Sequence, residues 1–139
     1  MTMIVTDTGF APDDWHNGFQ PLKAVVAGAG CADCGIEIAP EDETSADRGA
    51  LLAAPMIRIA FTGFADGRGF TVARTLRLMG YRGRLRAGRG LIADQYAMAR
   101  RAGFDEVEID TCLAQRQPEA DWLYRADWHA YDHQSRLRG

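Results

Sequence analysis

A chain of 139 residues and 15.3 kDa has room for one domain and too little for two ordinary ones. Hydrophobic residues at 47% and charged residues at 25% suit a globular protein with a buried core, which sets aside disorder, collagen and coiled coil. The net charge of −3 hides an asymmetry: residues 68–101 hold nine arginines against one acid, Asp94, while both flanks are acidic.

No apolar run approaches the roughly 20 residues of a membrane span. The opening Met1–Asp7 lacks the basic and apolar regions of a signal peptide. Three cysteines are too few for a disulfide scaffold, so a cytoplasmic location is expected, away from membranes.

In chain order, Met3–Thr6 reads as a strand closed by the turn Asp7-Thr8-Gly9, and Asp13-Asp14-Trp15 follows in a polar loop. Leu22–Ala27 is apolar but too short for its period to choose between strand and helix. Gly35–Ala39 alternates as a strand does. Glu41–Ala54 starts with acids and the capping residue Ser45, then becomes Ala-Leu-rich until Pro55 stops it. Met56–Phe61 reads as a strand, and Thr71–Met79 as a helix with Val72, Thr75, Leu76 and Met79 on one face and Gly80 at its end. Arg84–Ala87 is a short strand, Leu91–Ala102 a helix capped by Gly103, and Asp105–Asp110 an alternating strand. Pro118 opens a last helix carrying Trp122, Leu123, Ala126 and Ala130.

Strands alternating with helices predict a single α/β domain over 1–139, a small and mostly parallel sheet of successive βα units. Strand order is open at this level, between an open sheet and a partial βα barrel. A weak repeat accompanies it: Asp66-Gly67-Arg68-Gly69-Phe70 and Ala87-Gly88-Arg89-Gly90-Leu91 lie 21 residues apart, each at a strand-to-helix handover. Parallel strands would bring both turns to the C-terminal edge of the sheet, where such folds bind ligands.

These turns are the leading site candidates. Glycine exposes backbone N–H groups, the helix start adds more, and arginine supplies charge for an oxyanion. The competing explanation is a tight turn that needs glycine, with arginines pointing into water. Asp66 and Asp94 suit helix capping before acid–base work. The arginine segment as a whole is read either as a solvated face paired with the chain's own acids or as a surface for an anionic ligand or acidic partner. Nucleic acid is not expected, because the pI is 5.6 and no recognition motif accompanies the arginines.

Other patterns carry less. Val25-Val26-Ala27-Gly28-Ala29-Gly30 has Asp33 where a dinucleotide fingerprint needs its third glycine. Cys31 and Cys34 have zinc-knuckle spacing, and His129 and His133 would have to complete the site; a redox dithiol is the other use of such a pair, and two small loop residues explain it better than either, so no metal is assigned. Cys112 reads as core or strand-end packing. Tyr124, Trp128 and Tyr131 form a stripe suited to a core or to the seam of a homodimer. Two serines, neither at a nucleophile elbow, leave a hydrolase triad without support, and no cofactor motif is evident.

The run Phe64–Arg74, then Gly83-Arg84-Leu85-Arg86-Ala87, Asp94-Gln95 and Arg100–Asp105, resembles the bacterial domain of unknown function 934 family, most clearly over 57–109. Weaker echoes are Asp13-Asp14-Trp15 and Gly35–Asp42. Members of that family carry the label of oxidoreductases of sulfite reduction, based on genes beside assimilatory sulfite or nitrite reductase. The resemblance therefore implies an accessory protein of sulfite reduction, partnered by that reductase or its electron donor. Its site would be Asp66, Gly67, Arg68, Gly69, Asp94 and Gln95, with Arg74, Arg77, Arg100 and Arg101 facing the partner. The alternative is a small enzyme for a phosphorylated or sulfated metabolite at the same strand edge. Catalysis itself is left open, because six-electron reduction needs a metal or flavin centre. Ala65, the Cys31–Cys34 pair and Arg89 depart from the family pattern.

Overall fold

The computed structural model describes residues 2–28, 33–39, 42, 48–61 and 67–126. Among them, strands β1 (Thr2–Thr6), β2 (Gly9–Pro12), β3 (Phe19–Pro21), β4 (Gly35–Ile38), β5 (Met56–Ile59), β6 (Arg84–Ala87) and β7 (Glu106–Asp110) form one seven-stranded sheet. Its spatial order is β2-β1-β7-β6-β5-β4-β3. Strands β3 to β7 are parallel neighbours in chain order, β1 runs antiparallel to β7, and β2 runs antiparallel to β1. The expected mostly parallel α/β sheet is present, and it is open.

Helices α1 (Leu22–Val26), α2 (Arg48–Ala53), α3 (Arg68–Leu78) and α4 (Tyr96–Ala102) connect successive parallel strands, and α5 (Thr111–Arg116) and α6 (Glu119–Leu123) follow β7. Monotonic strand order with right-handed crossovers stacks the connecting helices on one face, as in a segment of a βα barrel. The packing agrees. Ile36, Ile38, Ile57, Ile59, Leu85 and Val107 form one buried cluster with Leu22, Leu51, Leu76, Tyr96 and Trp122. Ile4 and Met56 alternate out of that face and are buried outside the cluster.

Period two therefore sorts each strand. Most apolar residues go to the helices, and the intervening residues, largely charged but including Ile4 and Met56, go to the opposite face. Helix ends follow the chain's punctuation: Gly103 adopts φ 117° and its N–H closes onto the carbonyls of Ala99 and Arg100, a conformation costly for a residue with a Cβ.

Several elements differ from the sequence expectation. Leu22–Val26, whose period left strand and helix open, is helical, with Pro21 extended at its N-cap. Strands β2 and β3 were not expected, since they are short and each ends in proline; both are edge strands, where a missing N–H is tolerated. The β2 edge is covered, with Phe10 N–H donating to Glu119 Oε2 at 2.8 Å. Helix α5 was also missed; its start is capped by Asp110, which accepts from Leu113 N–H at 2.8 Å. That turn puts Cys112 on the surface, so the packing role expected for it is corrected. Helix α3 begins at Arg68 rather than Thr71, so Arg68 and Gly69 belong to its first turn.

Candidate functional site

The face turned away from the helices is charged. Strand register lines up Glu37 with Arg58, Arg58 with Arg86, and Arg86 with Glu106. Two arginines directly opposite each other would repel. Glu108 resolves this, because its Oε1 accepts from Arg58 Nη1 at 3.1 Å and from Arg86 Nη1 at 3.2 Å. Arg58 also reaches Glu37 at 3.0 Å, and Arg86 Nε reaches Glu106 at 2.6 Å. Arg84 holds Glu106 through both Nε and Nη2. Arg86 is fully buried, and Glu106 and Glu108 nearly so. Such burial is tolerable because both carboxylates and the guanidinium are multiply hydrogen-bonded.

The loop before β3 closes part of this face. Asp13 accepts from Arg86 Nη2 at 3.0 Å, and Asp14 pairs with Arg84. The loop holds itself, with Trp15 N–H on Asp13 Oδ1 and the indole N–H on the Gly18 carbonyl. Phe19 then lies under Arg58, 3.9 Å from guanidinium carbon to ring centroid. Partial burial pulls the Asp13 carboxyl upward, but Arg86 and the Trp15 amide outweigh it and leave its pKa below the usual value. Asp14 is lowered chiefly by its bond to Arg84. Arg84 and Arg86 are raised: burial opposes their charge, and the carboxylates around them prevail.

At the C-terminal ends of the strands the network opens into a cavity of about 200 Å³, lined by Glu37, Arg58, Ala60, Gly88, Arg89 and Glu108. Gly88 approaches β5 so closely that a Cβ there would come within 3.0 Å of the Ile59 carbonyl oxygen. Arg89 stands at the rim with 60% of its side chain exposed, 3.8 Å from Glu108 Oε2.

The sequence-predicted site divides. Asp66 lies outside the described residues. Gly67 is the N-cap of α3, with no side-chain hydrogen bond at that cap, and Arg68 is exposed. Gly69 is buried against Phe61, whose ring a Cβ would overlap, so close packing explains that glycine. Asp94 pairs with Arg125 at 2.5 Å, and Gln95 Oε1 accepts from Ile92 N–H at 3.1 Å, both close to a helix start. Topology does carry both Gly-Arg-Gly segments to the same sheet edge, since each follows one of the parallel neighbours β5 and β6.

The arginines expected to face a partner divide too. Arg74 and Arg101 are exposed. Arg77 is a clamp: it bonds the carbonyls of Gly103, Tyr81 and Gly83 and pairs with Asp105 at 3.0 Å. Arg100 bonds the Phe104 carbonyl and pairs with Asp7 at 3.2 Å, where Tyr96 also donates at 2.5 Å. Burial, and secondarily Asp7, raises the Tyr96 hydroxyl's pKa. Cys34 is part-exposed, whereas Cys31, His129, His133, Trp128 and Tyr131 lie outside the described residues. Among the described residues no group of three or more His, Cys, Asp or Glu is placed to hold a metal. None of the described helices is long and apolar enough to cross a membrane.

Sequence reasoning did not single out Glu37, Arg58, Glu106 or Glu108. The available signal was a charge at every second position of strands otherwise rich in Ile, Val and Leu. Fold and face together define an open, singly wound α/β protein with one apolar and one ionic sheet surface. The chain belongs to the family of bacterial proteins of unknown function DUF934, whose model matches residues 35–136, a wider span than the 57–109 where the resemblance is clearest. No curated protein and no solved structure matches the chain.

Proposed function

We propose that the chain is a cytoplasmic accessory protein of assimilatory sulfite reduction that holds a small anionic ligand at the C-terminal edge of its sheet. The observation that supports this most is the polar cavity at the strand ends, with the exposed guanidinium of Arg89 at its mouth. Both Gly-Arg-Gly segments reach that edge, and βα folds bind ligands there because their connecting loops converge on it. The place in sulfite reduction comes from the family's label and is a property of the pathway, so it is tested in the cell. A clean deletion should fail on sulfate and sulfite and recover on sulfide or cysteine. Normal growth on all four sulfur sources would remove the pathway assignment.

A second reading, docking of an acidic redox partner such as the reductase or its electron donor, is favoured by one observation. Arg74 on α3 and Arg101 on α4 are exposed on helices that pack together, beside the exposed Leu78 and Met98. Charge reversal of Arg74 and Arg101 should then abolish a salt-sensitive co-purification with the reductase. Arg77 and Arg100 are unsuitable for this test, because reversing them breaks bonds that hold the domain together.

A further inference from the structure

The cavity at the strand ends is neither basic nor acidic: two guanidiniums and two carboxylates line it. Three of these groups are hydrogen-bonded on one side, and Arg89 faces Glu108 at longer range. Glu37 and Glu108 accept at Oε1, and among the described residues neither Oε2 accepts a hydrogen bond. Among the described residues Arg58 donates from Nε and Nη1, which leaves Nη2. Among the described residues Arg89 meets no carboxylate closer than the 3.8 Å to Glu108 Oε2. A bare oxyanion would satisfy Arg89 but would face Glu37 and Glu108 across a space of about 200 Å³. A bare cation would meet the converse problem with Arg58 and Arg89.

We propose that this cavity takes a small zwitterion, an ammonium and an anionic carboxylate or sulfonate on one short carbon chain, as in an α-amino acid or an aminosulfonate. The ammonium lies against Glu37 and Glu108 Oε2, and its three N–H donors suit two carboxylate oxygens. The anionic group lies on Arg89 and Arg58 Nη2, where a guanidinium edge can hold two oxygens. The cavity is of the size of a small amino acid, with little apolar lining for a long side chain. This assignment keeps the anionic group of the proposed function's ligand, adds an ammonium to it, and rests on that reading of the same cavity.

The test is thermal unfolding and titration calorimetry of the full chain with glycine, L-cysteine and taurine. Acetate, ethylamine, sulfate and sulfite serve as single-charge controls. Near-saturating zwitterion should raise Tm by about 4 °C, with each single ion giving less than a quarter of that shift. Arg89→Ala, at an exposed side chain, and Glu37→Gln, at a half-buried one whose amide oxygen can still accept from Arg58, should keep the protein folded with the unliganded Tm near the parent's and lose at least tenfold in zwitterion affinity. Sulfate, sulfite or acetate binding as tightly as the zwitterions, unaffected by Glu37→Gln, would overturn the zwitterion and leave the oxyanion reading standing. Binding of none of the seven probes would overturn both. Ethylamine binding alone, lost in Glu37→Gln, would also overturn the proposal by making the site cationic in preference.

Discussion

The two faces of the sheet are built from the same strands and reach similar burial by opposite means. On the helix side Leu85 and Ile57 are fully buried among apolar neighbours, held by non-directional packing that grows with the area removed from water. On the other side Arg86 is just as buried, yet its guanidinium is held chiefly by directed bonds to Glu106, Glu108 and Asp13, with the Phe19 ring 5.9 Å away. The apolar face can relax around a loss. The ionic face cannot, because removing one partner strands the others without water.

That contrast can be broken most sharply at neighbouring positions of β6. Arg86→Ala should cost about 3–5 kcal/mol in urea denaturation, because Glu106 and Glu108 stay buried without a central partner. Arg86→Met combined with Glu106→Gln and Glu108→Gln should recover at least half of that loss. Leu85→Ala should cost about 3 kcal/mol, and no change on the ionic face should restore it. Equal rescue of both would mean that the two faces are not energetically distinct.

The arginines outside the ionic face sharpen the comparison at smaller size. Arg77→Ala should destabilise by about 2 kcal/mol, since it leaves the carbonyls of Gly103, Tyr81 and Gly83 without their donor. Arg74→Ala, exposed on the same helix, should stay within about 0.5 kcal/mol of the parent.

The smallest effect belongs to the loop that covers the ionic face. Asp13→Asn should cost about 1 kcal/mol at neutral pH. The folded pKa of Asp13 lies below its ordinary 3.8, so the stabilisation is present above that value and is lost as pH falls through the folded one. Denaturation curves of parent and Asp13→Asn should therefore converge in acid. A difference that persisted unchanged far into acid would show that the substitution acts through something other than the charge of the Asp13 carboxylate.

Much of the frame was legible along the chain. Met56, Arg84 and the 105–110 segment marked the central strands, because period two in short runs of Ile, Leu and Val has few other uses. Gly80 and Gly103 marked helix ends because few other residues adopt a positive φ easily. The edge strands β2 and β3 were hidden for a physical reason: strands of three or four residues acquire their conformation from their neighbour's hydrogen bonds and have too little pattern of their own.

The site was legible only in part. The glycine turns pointed to the sheet edge at which the polar cavity opens, since a βα handover in a parallel sheet must lie there. A run of arginines, by contrast, looked like one basic surface. Its members are sorted by where each backbone position points: Arg84 and Arg86 inward to Glu106 and Glu108, Arg77 and Arg100 onto carbonyls, and Arg74 and Arg101 outward.

Composition and periodicity by themselves determined the α/β class, the central strands and the helix ends, because those depend on interactions within a few residues of the chain. Only the tertiary structure decided which charges meet. Glu37, Arg58, Arg86 and Glu108 come from four separate strands, and their pairing follows from register across the sheet, a relation that no local spacing encodes.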